Sequence, residues 1–164
     1  MTVHVHIDRA SDTNSPTDSH FTQWVEAALA SGQDSMLDDV EVSLRINDID
    51  EMSDLNARYR GKQGPTNVLS FPADIPAELA VNMPERLLGD IAICAPVVVD
   101  EATAQTKSAE SHWAHMTVHG VLHLLGYDHV DAQEAEHMEQ MEVRILASLG
   151  FDNPYGSDIQ GRQA

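Results

Sequence analysis

Residues 119–129 read HGVLHLLGYDH, and no other stretch constrains the fold of this chain so tightly. His119 and His123 stand four apart in an apolar run, so a helix sends both imidazoles out from one face. Gly126 offers that helix its end, because glycine takes the left-handed conformation at a C-cap without steric cost. The chain can then turn back through Tyr127 and Asp128 and bring His129 toward the same point. Three neutral imidazoles, two from a helix and one from the loop after it, make a zinc site with an open fourth position. Open positions belong to catalytic zinc rather than structural zinc.

An i,i+4 histidine pair alone is weak evidence, since most helical histidines are ordinary surface or core residues. Here, of nine histidines in the chain, His112, His115, His119, His123, His129 and His137 crowd into one segment. That density, together with the Gly126 break, points to a metal. His115 competes for the third ligand position, because 115, 119 and 123 share a helical face. Eight residues at ~1.5 Å rise separate the Cα atoms of His115 and His123 by about 12 Å. One ion with bonds of roughly 2.0–2.1 Å does not easily hold all three. His129, arriving from a loop, fits better, and His115 reads as a neighbour that packs or contacts substrate.

The 164 residues suit one domain, 1–164, with a polar tail at 151–164 expected to fray. A hydrophobic fraction of 42% and a charged fraction of 22% place the chain among soluble globular proteins. No apolar run approaches the ~20 residues needed to cross a bilayer, so no membrane partner is expected. The start, MTVHVHIDRA, lacks the basic end and apolar block of a signal peptide. The single cysteine, Cys94, lies in the apolar run IAICA and cannot form an internal disulfide; it reads as a buried thiol. Together these features predict a cytoplasmic protein.

With 9 basic against 27 acidic residues the formal net charge is −18. A field of that sign repels nucleic acid, and DNA is not expected as a partner. The cations are unevenly spread, however. Arg45, Arg58, Arg60 and Lys62 fall within residues 45–62 and offer a local cationic patch on an acidic body.

Along the chain, Val3, Val5 and Ile7 alternate with His4, His6 and Asp8, the period of a half-buried strand. The polar stretch SDTNSPTDS leads to a helical pattern in Phe21, Trp24, Val25, Ala28 and Leu29, followed by a loop over Gly32–Asp39. Val40, Val42, Leu44 and Ile46 alternate as a second strand. Asp48 suits the cap of a helix carrying Ile49, Met52, Leu55, Asn56 and Tyr59 and ending near Gly61. GKQGP reads as a turn, TNVLSFP as a short strand closed by Pro72, and residues 73–88 as an irregular excursion. LLGDIAICAP is a buried strand. A single long helical pattern then runs to Leu125, and a last helix, about 131–149, starts at Asp131 and ends at Gly150. Four strands and several helices in mixed order make an α+β domain.

The helical zinc-protease motif HExxH places its general-base glutamate directly after the first histidine. Here that position is Gly120, which disfavours peptide hydrolysis by that route. The nearest acid, Asp128, suits a turn or a partner that orients a ligand imidazole better than a general base. A phosphodiester asks instead for cations where charge gathers on phosphoryl oxygens. Arg60, ending a helix before a glycine turn, is the best candidate and Lys62 the second, although helix C-termini favour arginine in any case. Thr66, Asn67 and Ser70 are placed to line the same cleft.

HGVLHLLGYDH, with LNARYRGKQGPTNVLSFP at 55–72, LLGDIAICAP at 87–96 and HWAHMTVHG at 112–120, resembles the YbeY family of bacterial endoribonucleases. These blocks cover most of residues 40–150, in order. The resemblance implies a single-strand-specific, metal-dependent RNase that acts in ribosomal RNA maturation, notably at the 16S 3′ end, and in quality control of defective ribosomes. It implies that His119, His123 and His129 bind one zinc ion and that Arg60 matters for RNase activity. It also implies a small mixed four-stranded sheet flanked by helices, of zincin-like architecture. Because non-specific RNA affinity depends on neutralising phosphates, a chain this acidic is expected to reach its ribosomal RNA through the ribosome or small-subunit proteins. Two other readings stand beside this one: a different zinc hydrolase, and a non-catalytic ribosome-assembly module in which zinc braces the helix and loop.

Overall fold

β-Branched and aliphatic residues at alternate positions build the centre of the molecule. The computed structural model describes residues 2–31, 39–73, 77–80, 86–128 and 131–155. Strands β1 (Thr2–Arg9), β2 (Asp39–Asn47), β3 (Val68–Pro72) and β4 (Arg86–Cys94) form one mixed sheet in the order β1-β2-β4-β3. β1 and β4 both run parallel to β2, whereas the edge strand β3 runs antiparallel to β4. Val40, Val42, Leu44 and Ile46 are all buried, as their alternation predicts.

Helices cover the sheet unequally. α1 (Asp18–Ala30), α5 (Ala109–Leu124) and α6 (Ala132–Ser148) pack on one face. Their core gathers Phe21, Trp24, Trp113, Val121 and Ile145 against Ile91 and Ile93 of β4. The alternate β4 residues, Ala92 and Cys94, point to the opposite face and meet Met52 of α2 (Ile49–Arg60) and Leu69 of β3. α2 buries only Met52 and Asn56; Ile49 and Tyr59, which share its helical spacing, stay exposed. Cys94 is a buried free thiol, and burial pushes it above the usual thiol range. No helix among the described residues is long and apolar enough to cross a membrane.

Three features differ from the sequence-based expectation. The long helix before Leu125 is two helices, α4 (Ala95–Ala104) and α5. α4 closes in a Schellman turn, with Lys107 N–H bonded to Ala102 C=O at 2.9 Å and Thr106 N–H to Thr103 C=O at 3.2 Å. Thr106 takes φ 53°, the place glycine fills at the ends of α5 (Gly126, φ 101°) and α6 (Gly150, φ 90°). A threonine gives no glycine signal, which is why the break is hidden in the sequence. Ser108 then restarts the chain as N-cap of α5, accepting from Ser111 N–H.

The excursion at 73–88 contains a single helical turn, α3 (Ala77–Ala80), and the start of β4; residues 74–76 and 81–85 lie outside the described residues. The tail is docked over its first residues. Phe151 packs edge-on against Trp24 (centroids 6.2 Å apart), and Tyr155 bonds to α6. Most of the loop expected at Gly32–Asp39 and the tail from residue 156 onward lie outside the described residues.

Candidate metal centre and cleft

α5 carries four histidines at helical spacing, and their surroundings differ by depth. His112 is buried, its Nε2–H 2.8 Å from Glu101 Oε1 on α4. His115 is buried one turn on, its Nε2 2.5 Å from Glu142 Oε1 of α6. Its Nδ1 is buried without a hydrogen-bond partner. A proton there would be an unsatisfied buried donor, which disfavours the imidazolium, and burial depresses the His115 pKa against the opposing pull of Glu142. Of the two roles open to His115, packing is the one the structure supports.

His119 and His123 reach the surface of a cleft. Their Nε2 atoms lie 3.1 Å apart. Two nitrogens bound to one tetrahedral zinc at roughly 2.0–2.1 Å stand about 3.3 Å apart, so the pair is set almost as ligands must be. His119 Nδ1 is 2.8 Å from Glu142 Oε2, which fixes its proton on Nδ1 and turns the Nε2 lone pair toward the cleft. Glu142 is 1% exposed. Its Oε1 accepts from His115 and from the Tyr155 hydroxyl, each at 2.5 Å. Burial alone would raise its pKa, but the hydrogen bonds from His115 and His119 outweigh that and hold the carboxyl well below the usual range. The carboxylate that orients His119 is therefore Glu142; Asp128, which the sequence suits to a turn or to orienting a ligand imidazole, lines the cleft wall. The sequence signal for Glu142 is faint: a lone charge among the buried α6 positions Met138, Met141, Ile145 and Leu146.

Among the described residues no group of three His, Cys, Asp or Glu side chains is placed to hold a metal. The expected third ligand, His129, lies outside the described residues. Gly126 ends α5 as anticipated, with Tyr127 N–H bonded to Leu122 C=O at 3.0 Å, and turns the chain at the right point. Tyr127 stacks on His137 of α6, centroids 5.6 Å apart.

Gly120 explains why no helical glutamate follows the first histidine. A Cβ there would sit 2.9 Å from Ile91 Cγ2 and 3.3 Å from Ser70 Oγ. Ser70 also donates to the Gly120 carbonyl at 2.9 Å, clamping α5 onto β3. This face of α5 is pressed on the sheet and has no room for a carboxylate.

The cleft has a volume of about 1220 Å³ and is lined by His119, His123, Tyr127 and Asp128, and by Arg60, Lys62 and Thr66 to Ser70. Arg60 ends α2 just before Gly61, whose φ of 64° turns the chain. Asn67 and Ser70 line the cleft as expected, but their side chains serve the fold. Asn67 Nδ2 donates to Glu101 at 3.1 and 3.3 Å, and its Oδ1 accepts from Val68 N–H. The cationic block of residues 45–62 is divided. Arg45 is engaged by Glu51 and Asp8 on the other side of α2, and Arg58 pairs with Asp54, leaving Arg60 and Lys62 on the cleft.

Residues 6–150 match the family model described as Endoribonuclease YbeY. A protein named Endoribonuclease YbeY from Cellvibrio japonicus is 54% identical over 140 residues, covering 85% of this chain and 75% of the relative. Its namesake from Methylococcus capsulatus is 51% identical over 149 residues (91% and 93%). The one from Nitrosococcus oceani is 48% identical over 158 residues (96% and 99%). The solution structure of TM1509 from Thermotoga maritima superimposes with a TM-score of 0.55 at 22% identity, covering 96% of this chain and 93% of that one, a likeness of fold. With nearly the whole sequence matched at about this level of identity, the chain belongs to the endoribonuclease YbeY family.

Proposed function

We propose that this chain is a single-strand-specific, zinc-dependent endoribonuclease with a zincin-like centre, acting on the 16S rRNA 3′ end and in ribosome quality control. The observation that carries the metal-dependent reading is the His119–His123 pair, with Nε2 atoms 3.1 Å apart and Glu142 behind, on a cleft that also holds Arg60. RNA as substrate rests on the family and on the names of the relatives.

His119 and His123 would hold the ion, with His129 as the third ligand. Bound zinc supplies a Lewis acid and an acidified water at neutral pH. Glu142 holds the His119 proton on Nδ1, so that the neutral ring presents its Nε2 lone pair to the cleft. Arg60 offers a planar pair of N–H donors to the phosphoryl oxygens, where negative charge gathers as the bond breaks. Lys62 adds a second cation at the same wall. With a net charge of −18 the body repels RNA beyond this wall, which favours delivery by the ribosome or small-subunit proteins.

A panel of unpaired RNA, paired RNA and peptide substrates, with metal-matched controls, tests the reading. Cutting confined to unpaired RNA is the expected result, and peptide hydrolysis without RNA cleavage would overturn it. A 2′,3′-cyclic phosphate on the products identifies the RNA 2′-hydroxyl as nucleophile, whereas a 5′-phosphate beside a 3′-hydroxyl identifies water. Submicromolar binding of free RNA at modest salt, without ribosomes, would contradict the delivery argument.

A further inference from the structure

Tyr59, in the last turn of α2, has 61% of its surface exposed, its ring edge-on to Phe71 with centroids 5.1 Å apart and planes at 69°. The two rings stand between two clefts. Both line the histidine cleft, and both line a second cleft of about 840 Å³ on the α2 side of the sheet. The charges of the two clefts differ. Arg60 and Lys62 line the first. Asp8, Glu51 and Asp90 line the second, where Arg45 is already engaged by Glu51 and Asp8. Phosphate is therefore attracted on one side of Tyr59 and repelled on the other.

We propose that Tyr59, backed by Phe71, is a stacking platform for an unpaired base of an RNA strand leaving the histidine cleft. The base crosses into the second cleft while its phosphates stay on the Arg60 and Lys62 side. This rests on the reading of the histidine cleft as RNA-cleaving. An aromatic face accepts any base, because every base has a π-face, so the subsite needs no sequence readout. Carboxylates such as Asp90 suit a base edge with an amino group and disfavour phosphate. A paired base must first unpair and unstack to reach it, at a cost of about a few kcal/mol, so the subsite favours single strands.

The test uses the full chain stripped of metal, so that binding is read without cleavage. The probe is a single-stranded RNA oligonucleotide carrying one 2-aminopurine, whose fluorescence is quenched when it stacks. Saturable quenching by the wild type is expected, weakened about tenfold in Tyr59→Ala and in the bulky but non-aromatic Tyr59→Leu, and restored in Tyr59→Phe and Tyr59→Trp. The salt dependence of affinity should stay that of the wild type in Tyr59→Ala and become shallower in Arg60→Gln, which separates stacking from phosphate contact. With zinc restored, the Tyr59→Ala defect should appear in KM more than in kcat. Folded Tyr59→Ala and Tyr59→Leu proteins that bind and cut as the wild type does, while Arg60→Gln fails, would overturn the subsite and leave the RNA reading intact. A wild type that neither binds nor cuts RNA would overturn both.

Discussion

Glu142 Oε2 lies 2.8 Å from His119 Nδ1, and the same carboxylate takes the His115 and Tyr155 hydrogens on its other oxygen. A buried anion is tolerated there because three donors replace its water. The arrangement links α6 and the C-terminal segment to one face of α5. Anything that disturbs Glu142 should therefore be felt at the proposed metal site as well as in stability.

Glu142→Gln keeps the size of the side chain but presents an NH2 to one of three donors. Zinc affinity, measured by competition with a chromophoric chelator, should fall by roughly 10- to 100-fold, the usual effect of losing the partner behind a ligand histidine. Tyr155→Phe leaves the carboxylate one donor short and should lower unfolding free energy by about 1–3 kcal/mol in urea titrations. Unchanged zinc affinity in Glu142→Gln would mean that His119 is oriented by something else.

At Gly120 the prediction concerns space. Gly120→Glu, which restores the protease-like pattern on paper, forces a Cβ to within 2.9 Å of Ile91 and a charge against the sheet. Overpacking costs about 1–3 kcal/mol and a buried unpaired carboxylate several more. The variant should be largely unfolded by circular dichroism and show no peptidase activity. A well-folded Gly120→Glu protein would show that α5 is not pressed on β3 and β4 as described.

Thr106 holds φ 53° at the end of α4, a conformation costing a non-glycine residue roughly 1–2 kcal/mol. Thr106→Gly relieves that cost and gives back part of it through the freer unfolded chain. A net gain of up to about 1 kcal/mol is expected in the urea midpoint, with no change in RNA cleavage. A loss of stability would show that the threonine side chain contributes more than its backbone conformation costs.

The sequence was legible wherever one residue type has one physical use. Alternating Val and Ile marked β1 and β2, and the glycines at 126 and 150 marked two helix ends because their left-handed conformations need no Cβ clearance. The same logic failed at Thr106, where an exposed threonine stands in glycine's place. His119 and His123 were found from spacing. Glu142 was not, because a glutamate in a helix reads as solvated until the partner helix is known, and Tyr155 sat in a tail whose composition suggested fraying. The cationic block at 45–62 looked like one patch only because sequence proximity hides that Arg45, on β2, pairs with Asp8 and Glu51 while Arg60, at the end of α2, lines the histidine cleft.

Acid should weaken the fold through Glu101. Its hydrogen bond from His112 holds the carboxyl below the usual carboxylate range despite partial burial, and Asn67 adds to this. The unfolded chain then takes up a proton near the ordinary carboxylate value of about 4.3 while the folded one resists it. The stabilisation is complete above that pH and is lost as pH falls through the depressed folded value. Between about pH 5 and 3 the unfolding free energy of Glu101→Gln should fall less steeply than that of the wild type. Parallel slopes would show that Glu101 is not protected in the folded state.

The central claim is that the α5 histidines hold a metal that RNA cleavage requires. It is tested most directly by titrating zinc into metal-stripped protein while following cleavage of an unpaired RNA. Activity should rise with zinc and level off at one ion per chain, and should be lost in His123→Ala and in Arg60→Glu, the latter still binding zinc. Equal cleavage by the stripped wild type, His123→Ala and Arg60→Glu preparations would contradict it.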